Sequence, residues 1–501
     1  MRPGFLGCPR ARRTRNRLRH HHRSGSPSTT RSSRGIRPGK WCTRPAPNDA
    51  RGSPPHHTLL GQAFHPRGHP RVCAHHGRAG ARGRRPAVGL VCSPMTSRHV
   101  LSIGGLVLTI MVGLAYACGA PASNEARVAR PPNVTPAASE RSASQAATVA
   151  ATVLGRDILA VMDRGHVAGV SVAIVKDGEL AWTGAYGLAD VERGVPVTTG
   201  TLFMAASVSK AVATLCAVAA LADDGVDLDL DAPINDHLPV SVAHPTSPTP
   251  ITLRHLLTHT AGIHDDYPAI LGEYVFGADA TEPLGDYLGR HLSVGGSAYQ
   301  AAHFGAAPGT AYEYSNWGLT LAGWVVEVAT RTDFAAYCQS EIFEPMGLED
   351  THWFLRDTEG DAVALPYEWD GARFHTRGHY GYPDYPDGQL RTTATDLADV
   401  LRLVIGRGTL DGTRVLPASS VDEMIRLQGA PGDEKSQALG WSYTHDTVNR
   451  YLGHRGADIG VATHILIRQR DQLGLVVLMN TRNLDVLSPI EELLLDFSDT
   501  L

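Results

Sequence analysis

Apolar and polar positions alternate with different periods along this chain. In "ATVLGRDILAVMDRG" (151–165) apolar residues recur at helical spacing, and "GVSVAIVKDGELAWTGAYG" (169–187) then gives two alternating runs joined at Asp177-Gly178, the mark of an antiparallel hairpin. A long helical section follows, including "ITLRHLLTHTAG" (251–262) and "WGLTLAGWVVEVATRT" (317–332), with loops rich in Gly, Pro and Tyr through "HYGYPDYPDGQL" (379–390). Strands return in "GVATHILIRQRDQLGLVVLMN" (460–480), and "SPIEELLLDF" (488–497) predicts a closing helix with Ser488 as cap, Pro489 first and Glu491 completing a capping box. The expected class is α+β, an α/β sandwich: an antiparallel sheet from both ends of one domain, flanked by terminal helices, enclosing a mostly helical insertion over about 225–385.

Composition separates that domain, 149–501, from what precedes it. Residues 1–94 carry 20 Lys/Arg and one acid, Asp49, without apolar periodicity, and read as a basic, disordered leader that need not be translated. The remaining 407 positions hold 26 of the 46 basic and 49 of the 50 acidic residues, a net charge of −23 before histidine. Such an acidic body argues against nucleic acid as partner of the folded part, since phosphate binding needs a basic face, while the basic leader could still bind it nonspecifically.

From the internal Met95, short polar "TSRH" precedes an apolar run from Val100 to Tyr116 and the small-x-small triplet Ala115-Tyr116-Ala117, so 95–117 is expected to be a signal peptide. Three forms fit: ordinary cleavage after Ala117, cleavage with a lipid anchor on Cys118, and an uncleaved membrane anchor. Export to the periplasm or cell envelope follows in each, with 118–148 as a flexible Ala/Pro/Ser-rich tether. Of seven cysteines only Cys216 and Cys338 reach the domain, each in an apolar helical context, and two buried thiols are expected rather than a bridge or a metal site.

Three short stretches carry candidate chemistry. The chain has four lysines, Lys40, Lys176, Lys210 and Lys435, and only Lys210 has a serine three positions before it, Ser207. On a helix that spacing puts both on one face, with Ser207 near the positive end of the dipole. For Lys210 to take a proton at neutral pH its pKa must fall by roughly three units from about 10.4, which burial plus a second cation can supply. Taken alone, the pair fits a serine cap and a solvated lysine equally well.

Tyr314-Ser315-Asn316 stands directly before a predicted helix, where Ser315 or Asn316 can cap while Tyr314 packs. A functional Tyr314 would instead share protons with Ser207 beside Lys210, and Asn316 would donate to an acyl oxygen. His454-Arg455-Gly456 enters a strand, a place where a side chain can line a cleft while the backbone pairs with an extended substrate.

In this order, Ser207-Val208-Ser209-Lys210, Tyr314-Ser315-Asn316 and His454-Arg455-Gly456 resemble the three motifs of the serine β-lactamase and D-alanyl-D-alanine peptidase superfamily. The similarity runs over 155–495 and is nearest the class C β-lactamase-related branch. The resemblance implies an acyl-enzyme mechanism in a cleft between sheet and helical region. Ser207 attacks, Lys210 and Tyr314 relay its proton, and the backbone N–H groups of Ser207 and Ala457 form an oxyanion hole. Asn316, His454, Arg455, Gly456 and Ala457 would bind the substrate, a small-molecule or peptide acyl compound, and no cofactor or metal is implied.

Two departures qualify the resemblance. His454-Arg455-Gly456 stands where β-lactamases have Lys-Thr-Gly, so β-lactam turnover is expected to be weak. Arg455 lacks the hydroxyl that holds a substrate carboxylate but offers a cation, and a protonated His454 would lose affinity for anions above about pH 6.5. Gln389 also replaces a glycine of many relatives.

An α/β-hydrolase is disfavoured by the absence of G-x-S-x-G. A zinc site at His255 and His259, with His264-Asp265-Asp266 nearby, lacks the glutamate of H-E-x-x-H. The remaining alternative is a noncatalytic cell-envelope protein that binds peptidoglycan peptides or β-lactams.

Overall fold

The computed structural model describes residues 138–501 except 359–362, 430 and 433–435, with side chains from 150 onward. The leader, the signal pattern and Cys118 lie outside the described residues.

Helix α1 (Ala138–Gly165) begins inside the stretch read as tether, because beyond Pro136 the chain is alanine-rich with no further proline to stop a helix. Seven strands then form one antiparallel sheet: β1 (Gly169–Lys176), β2 (Glu179–Asp190), β3 (Val195–Pro196), β4 (Ser442–His445), β5 (Arg450–Asp458), β6 (Val461–Arg468) and β7 (Leu473–Met479). Their spatial order is β4-β5-β6-β7-β1-β2-β3, so the C-terminal strands complete a sheet begun before the helical insertion. The hairpin at Asp177-Gly178 forms as expected, both residues taking positive φ.

Strand alternation decides what each face meets. Val170, Val172 and Ile174 of β1, with Leu475 and Val477 of β7, pack on Leu154 and Ile158 of α1 and on Ile490 and Leu494 of the closing helix α5 (Leu487–Ser498). Ala173, Val175, Val476 and Leu478 face the other way, into the larger core shared with α2 (Ser209–Ala222), α3 (Asn316–Thr330) and α4 (Ala394–Ile405). The mixed helical and antiparallel class is the one expected.

Two local expectations are corrected. Helix α5 starts at Leu487 behind a short 3-10 turn, and no side chain caps it, so Ser488 and Glu491 make no capping box. Glu491 turns instead toward β6, where His464 draws its carboxylate. Cys216 of α2 and Cys338 are disulfide-bonded, with Cα atoms 5.3 Å apart, rather than separate thiols. Their helical contexts are apolar because the bridge lies in the core, both residues being fully buried.

Candidate active site

Ser207 occupies a 3-10 turn, Ala206–Val208, that feeds α2. Ala206 holds φ at +47°, a strained conformation for a residue with a β-carbon. Neighbouring backbone fixes the turn: Ala205 N–H donates to Leu390 O (2.7 Å), and Thr463 Oγ1 on β6 donates to Ala205 O (2.6 Å). No side chain caps α2, which removes the reading of Ser207 as a helix cap.

Lys210 is fully buried rather than solvated. Its Nζ donates to Ser207 Oγ (3.2 Å) and to Asp387 O (2.7 Å). Burial lowers its pKa, but Tyr314, Asp387 and Asp265 outweigh that and raise it overall, opposite to the fall that a proton-accepting lysine needs. Burial pushes the Asp387 carboxyl up to about 7 despite the pull of Lys210, and Asp384, buried beside Asp387 with neither oxygen bonded, is raised well above the ordinary carboxylate range.

Tyr314 stands at the opening, 38% exposed, its ring centroid 5.2 Å from Lys210 Nζ, 4.5 Å from the His259 ring and 6.3 Å from that of His454. The turn before α3 is set by Asp265, which accepts from Ser315 Oγ (2.9 Å), Asn316 N (2.8 Å) and Trp317 N (3.1 Å) while Ser315 Oγ caps Gly318 N. Ser315, not Asn316, is therefore the cap. The Asn316 side chain makes no hydrogen bond among the described residues and stays available beside Tyr314.

His454, Gly456 and Ala457 lie on the part of β5 beyond Ser442, the first residue of β4 to pair with it, so this length of strand has an open edge. Gly456 packs directly on the nucleophile turn: a β-carbon there would lie 2.6 Å from Ala205 O and 3.1 Å from Ser207 N. His454 is buried, and its Nδ1–H donates to Arg455 O (2.7 Å), which leaves Nε2 as an acceptor. Burial and the Lys210 charge hold its pKa at about 3, which favours the neutral imidazole at neutral pH.

Arg455 is the predicted site residue whose side chain turns away from Ser207 and Lys210. Alternation turns it to the opposite face of β5 from His454, where its guanidinium lies 3.4 Å from Ser488 Oγ and 3.4 Å from Glu491 Oε2. Its cation is thus shared with a carboxylate, correcting the expectation of a free charge for substrate. Gln389 is buried and structural: it donates to Trp353 O (2.9 Å) and accepts from Tyr382 N (2.6 Å).

The three motifs meet around one buried lysine. Residues 154–494 match the family model described as beta-lactamase. The chain belongs to the β-lactamase family. That match agrees with the resemblance carried by the three motifs. Among curated proteins it is similar to protein flp of Staphylococcus aureus, 24% identical over 336 residues. That match takes in 66% of this chain and 63% of flp, so the chain spans under two thirds of its relative.

Among solved structures, a penicillin-binding protein of Bacillus halodurans is 23% identical, with TM-score 0.55, covering 67% of this chain and 98% of that one. A D-amino acid amidase of Ochrobactrum anthropi is 22% identical, with TM-score 0.55, covering 69% and 99%. A class C β-lactamase of Rhodobacter sphaeroides is 22% identical, with TM-score 0.52, covering 68% and 98%. At these identities the likeness carries the fold.

Sequence reasoning missed three supports of this β-lactamase-family site. His259 accepts from Ser315 N (3.2 Å) and stacks on Tyr314, and Asp265 orders the Tyr-Ser-Asn turn. Among the described residues no cluster of three or more His, Cys, Asp or Glu is arranged to hold a metal. Asp387 left no signal beyond its place two residues before Gln389.

Proposed function

We propose that the chain is a serine hydrolase that cleaves an ester or amide through an acyl-enzyme, with β-lactam turnover weak. The observation that carries this reading is Ser207 Oγ held 3.2 Å from a fully buried Lys210 Nζ on a strained turn, with Tyr314 over the same ammonium. Ser207 Oγ forms a bond to the acyl carbon as the bond to the leaving oxygen or nitrogen breaks. The proton of Ser207 passes through the Lys210–Tyr314 pair to the departing atom, and water then releases the acyl group by the reverse relay. Because Lys210 rests protonated, the pair must lose one proton before it can accept another, so activity rises toward alkaline pH. The N–H groups of Ser207 and Ala457 receive the oxyanion, and the open edge of β5 pairs with an extended substrate.

The same reading makes the protein exported, possessing the 95–117 signal pattern and, in the domain, a buried disulfide of the kind that persists in oxidising compartments. Among the described residues no helix is long and apolar enough to cross a membrane, so any anchoring rests on the signal segment or on a lipid at Cys118.

The test is covalent labelling with a fluorophosphonate and a fluorescent penicillin, followed by hydrolysis of p-nitrophenyl esters, a D-alanyl-D-alanine peptide and nitrocefin. Labelling lost in Ser207→Ala is expected, with ester or peptide ahead of nitrocefin. Equal labelling of variant and parent removes Ser207 from the mechanism, and reversible binding without turnover makes the chain a binding protein.

A further inference from the structure

Beside Tyr314 and His454 an open cavity of about 250 Å³ lies at the edge of β5, lined also by Tyr312, Trp441, Thr444, Arg455, His464 and Leu466. By the same measure a single water needs about 10–15 Å³, so this space holds an organic group of ring size. It shares Tyr314 and His454 with the reacting centre and touches neither Ser207 nor Lys210. Resting on the acyl-enzyme reading above, in which Tyr314 protonates the departing atom, this is where the leaving group goes.

The lining decides what that group is. Every described cationic candidate around the cavity is neutral or paired. Burial holds His454 and His259 well below the ordinary histidine range, so neither carries charge at neutral pH. His464 Nδ1 is 2.6 Å from Glu491 Oε1, and Arg455 shares the other oxygen of that carboxylate. A leaving group with its own carboxylate would therefore enter a space rich in aromatic rings, where the Arg455 guanidinium is already engaged by Glu491. We propose that the cavity bounded by Tyr314, Trp441, His454 and the Glu491-paired Arg455 selects an uncharged aromatic leaving group, making the chain an aryl esterase or arylamidase rather than a carboxypeptidase.

The purified protein is tested with 2-naphthyl acetate, its 6-carboxy analogue and ethyl acetate. Expected is a kcat/KM for the neutral naphthyl ester at least about tenfold above the carboxylated one. Thr444, on the cavity wall and exposed, gives a filling variant that spares the core: Thr444→Trp is expected to lower the naphthyl-to-ethyl ratio at least about tenfold. Glu491→Gln, which frees Arg455 and His464, is expected to raise the carboxylated ester relative to the neutral one. Equal or faster turnover of the carboxylated ester, or a naphthyl-to-ethyl ratio unmoved by Thr444→Trp, overturns the proposal while Ser207-dependent hydrolysis stands.

Equilibrium binding to the Ser207→Ala protein separates this inference from the catalytic reading. Binding of 2-naphthol at least about tenfold tighter than 6-carboxy-2-naphthol, lost in Thr444→Trp, supports the cavity even where no ester is cleaved. Binding of the carboxylated naphthol as tight or tighter overturns it.

Discussion

Gly456 of β5 lies against Ala205 so closely that a β-carbon on the glycine would come within 2.6 Å of the Ala205 carbonyl oxygen. That carbonyl is the anchor of the nucleophile turn, tied down by Thr463 Oγ1, which the added carbon would also strike. Gly456→Ala is therefore expected to push Ser207 away from Lys210. Overpacking of this kind costs about 1–3 kcal/mol of stability, and an ångström of misplacement costs on the order of 100-fold in rate. Melting temperature and ester hydrolysis measured together check this. A variant as active as the parent would show that the contact does not position Ser207.

Asp387 gives the site a pH signature. Its folded carboxyl is raised to about 7 from an ordinary 3.8, so the native state holds a proton that the unfolded chain has released between those values. Stability from this group is present below pH 4 and is lost as pH rises through 7, with a ceiling of about 4 kcal/mol. Asp387→Asn is expected to melt at the same temperature as the parent at pH 4 and several degrees higher at pH 8. Melting curves at the two pH values decide it, and an equal gain at both would assign the effect to packing.

His454 should not impose a limb near pH 6.5. Its imidazole is already neutral there, and Nε2 acts as an acceptor. KM for an uncharged ester is expected to stay level from pH 5 to 8, and His454→Gln to keep the shape of the parent's profile. Loss of one neutral hydrogen bond, about 1 kcal/mol, should lower kcat/KM by roughly fivefold. A limb present in the parent and absent from the variant would restore the charged histidine.

The Cys216–Cys338 bridge closes a loop across a sequence separation of 122 and ties the helix that carries Lys210 into the helical core. Chain entropy puts the ceiling on its stabilisation at about 4–5 kcal/mol. Cys216→Ala with Cys338→Ala is expected to lower the melting temperature by several degrees while the ratio of ester to peptide activity holds. Alkylation in denaturant without reductant, mapped by peptide mass, should leave both cysteines unlabelled in the parent, and labelling of both would return them to free thiols.

The sequence by itself determined the local periodicities and the reactive residue types. Alternating runs at 169–187 and 460–480 became strands of one sheet, and Ser207 and Lys210 stand one helical turn apart, because period and turn chemistry are written in adjacent residues. Spacing alone left open a capping Ser207 and a solvated Lys210; α2 has no side-chain cap and Lys210 is buried, so neither holds.

Only the tertiary structure decided charge and direction. Lys210 is kept protonated by Tyr314, Asp387 and Asp265, which lie far from it in sequence. Arg455 is turned to Glu491 by strand alternation, and Glu491, legible as half of a capping box, gave that role up to a buried histidine. A pKa or an ion pair depends on which distant groups burial brings within a few ångströms, and a sequence fixes that only through the fold it makes.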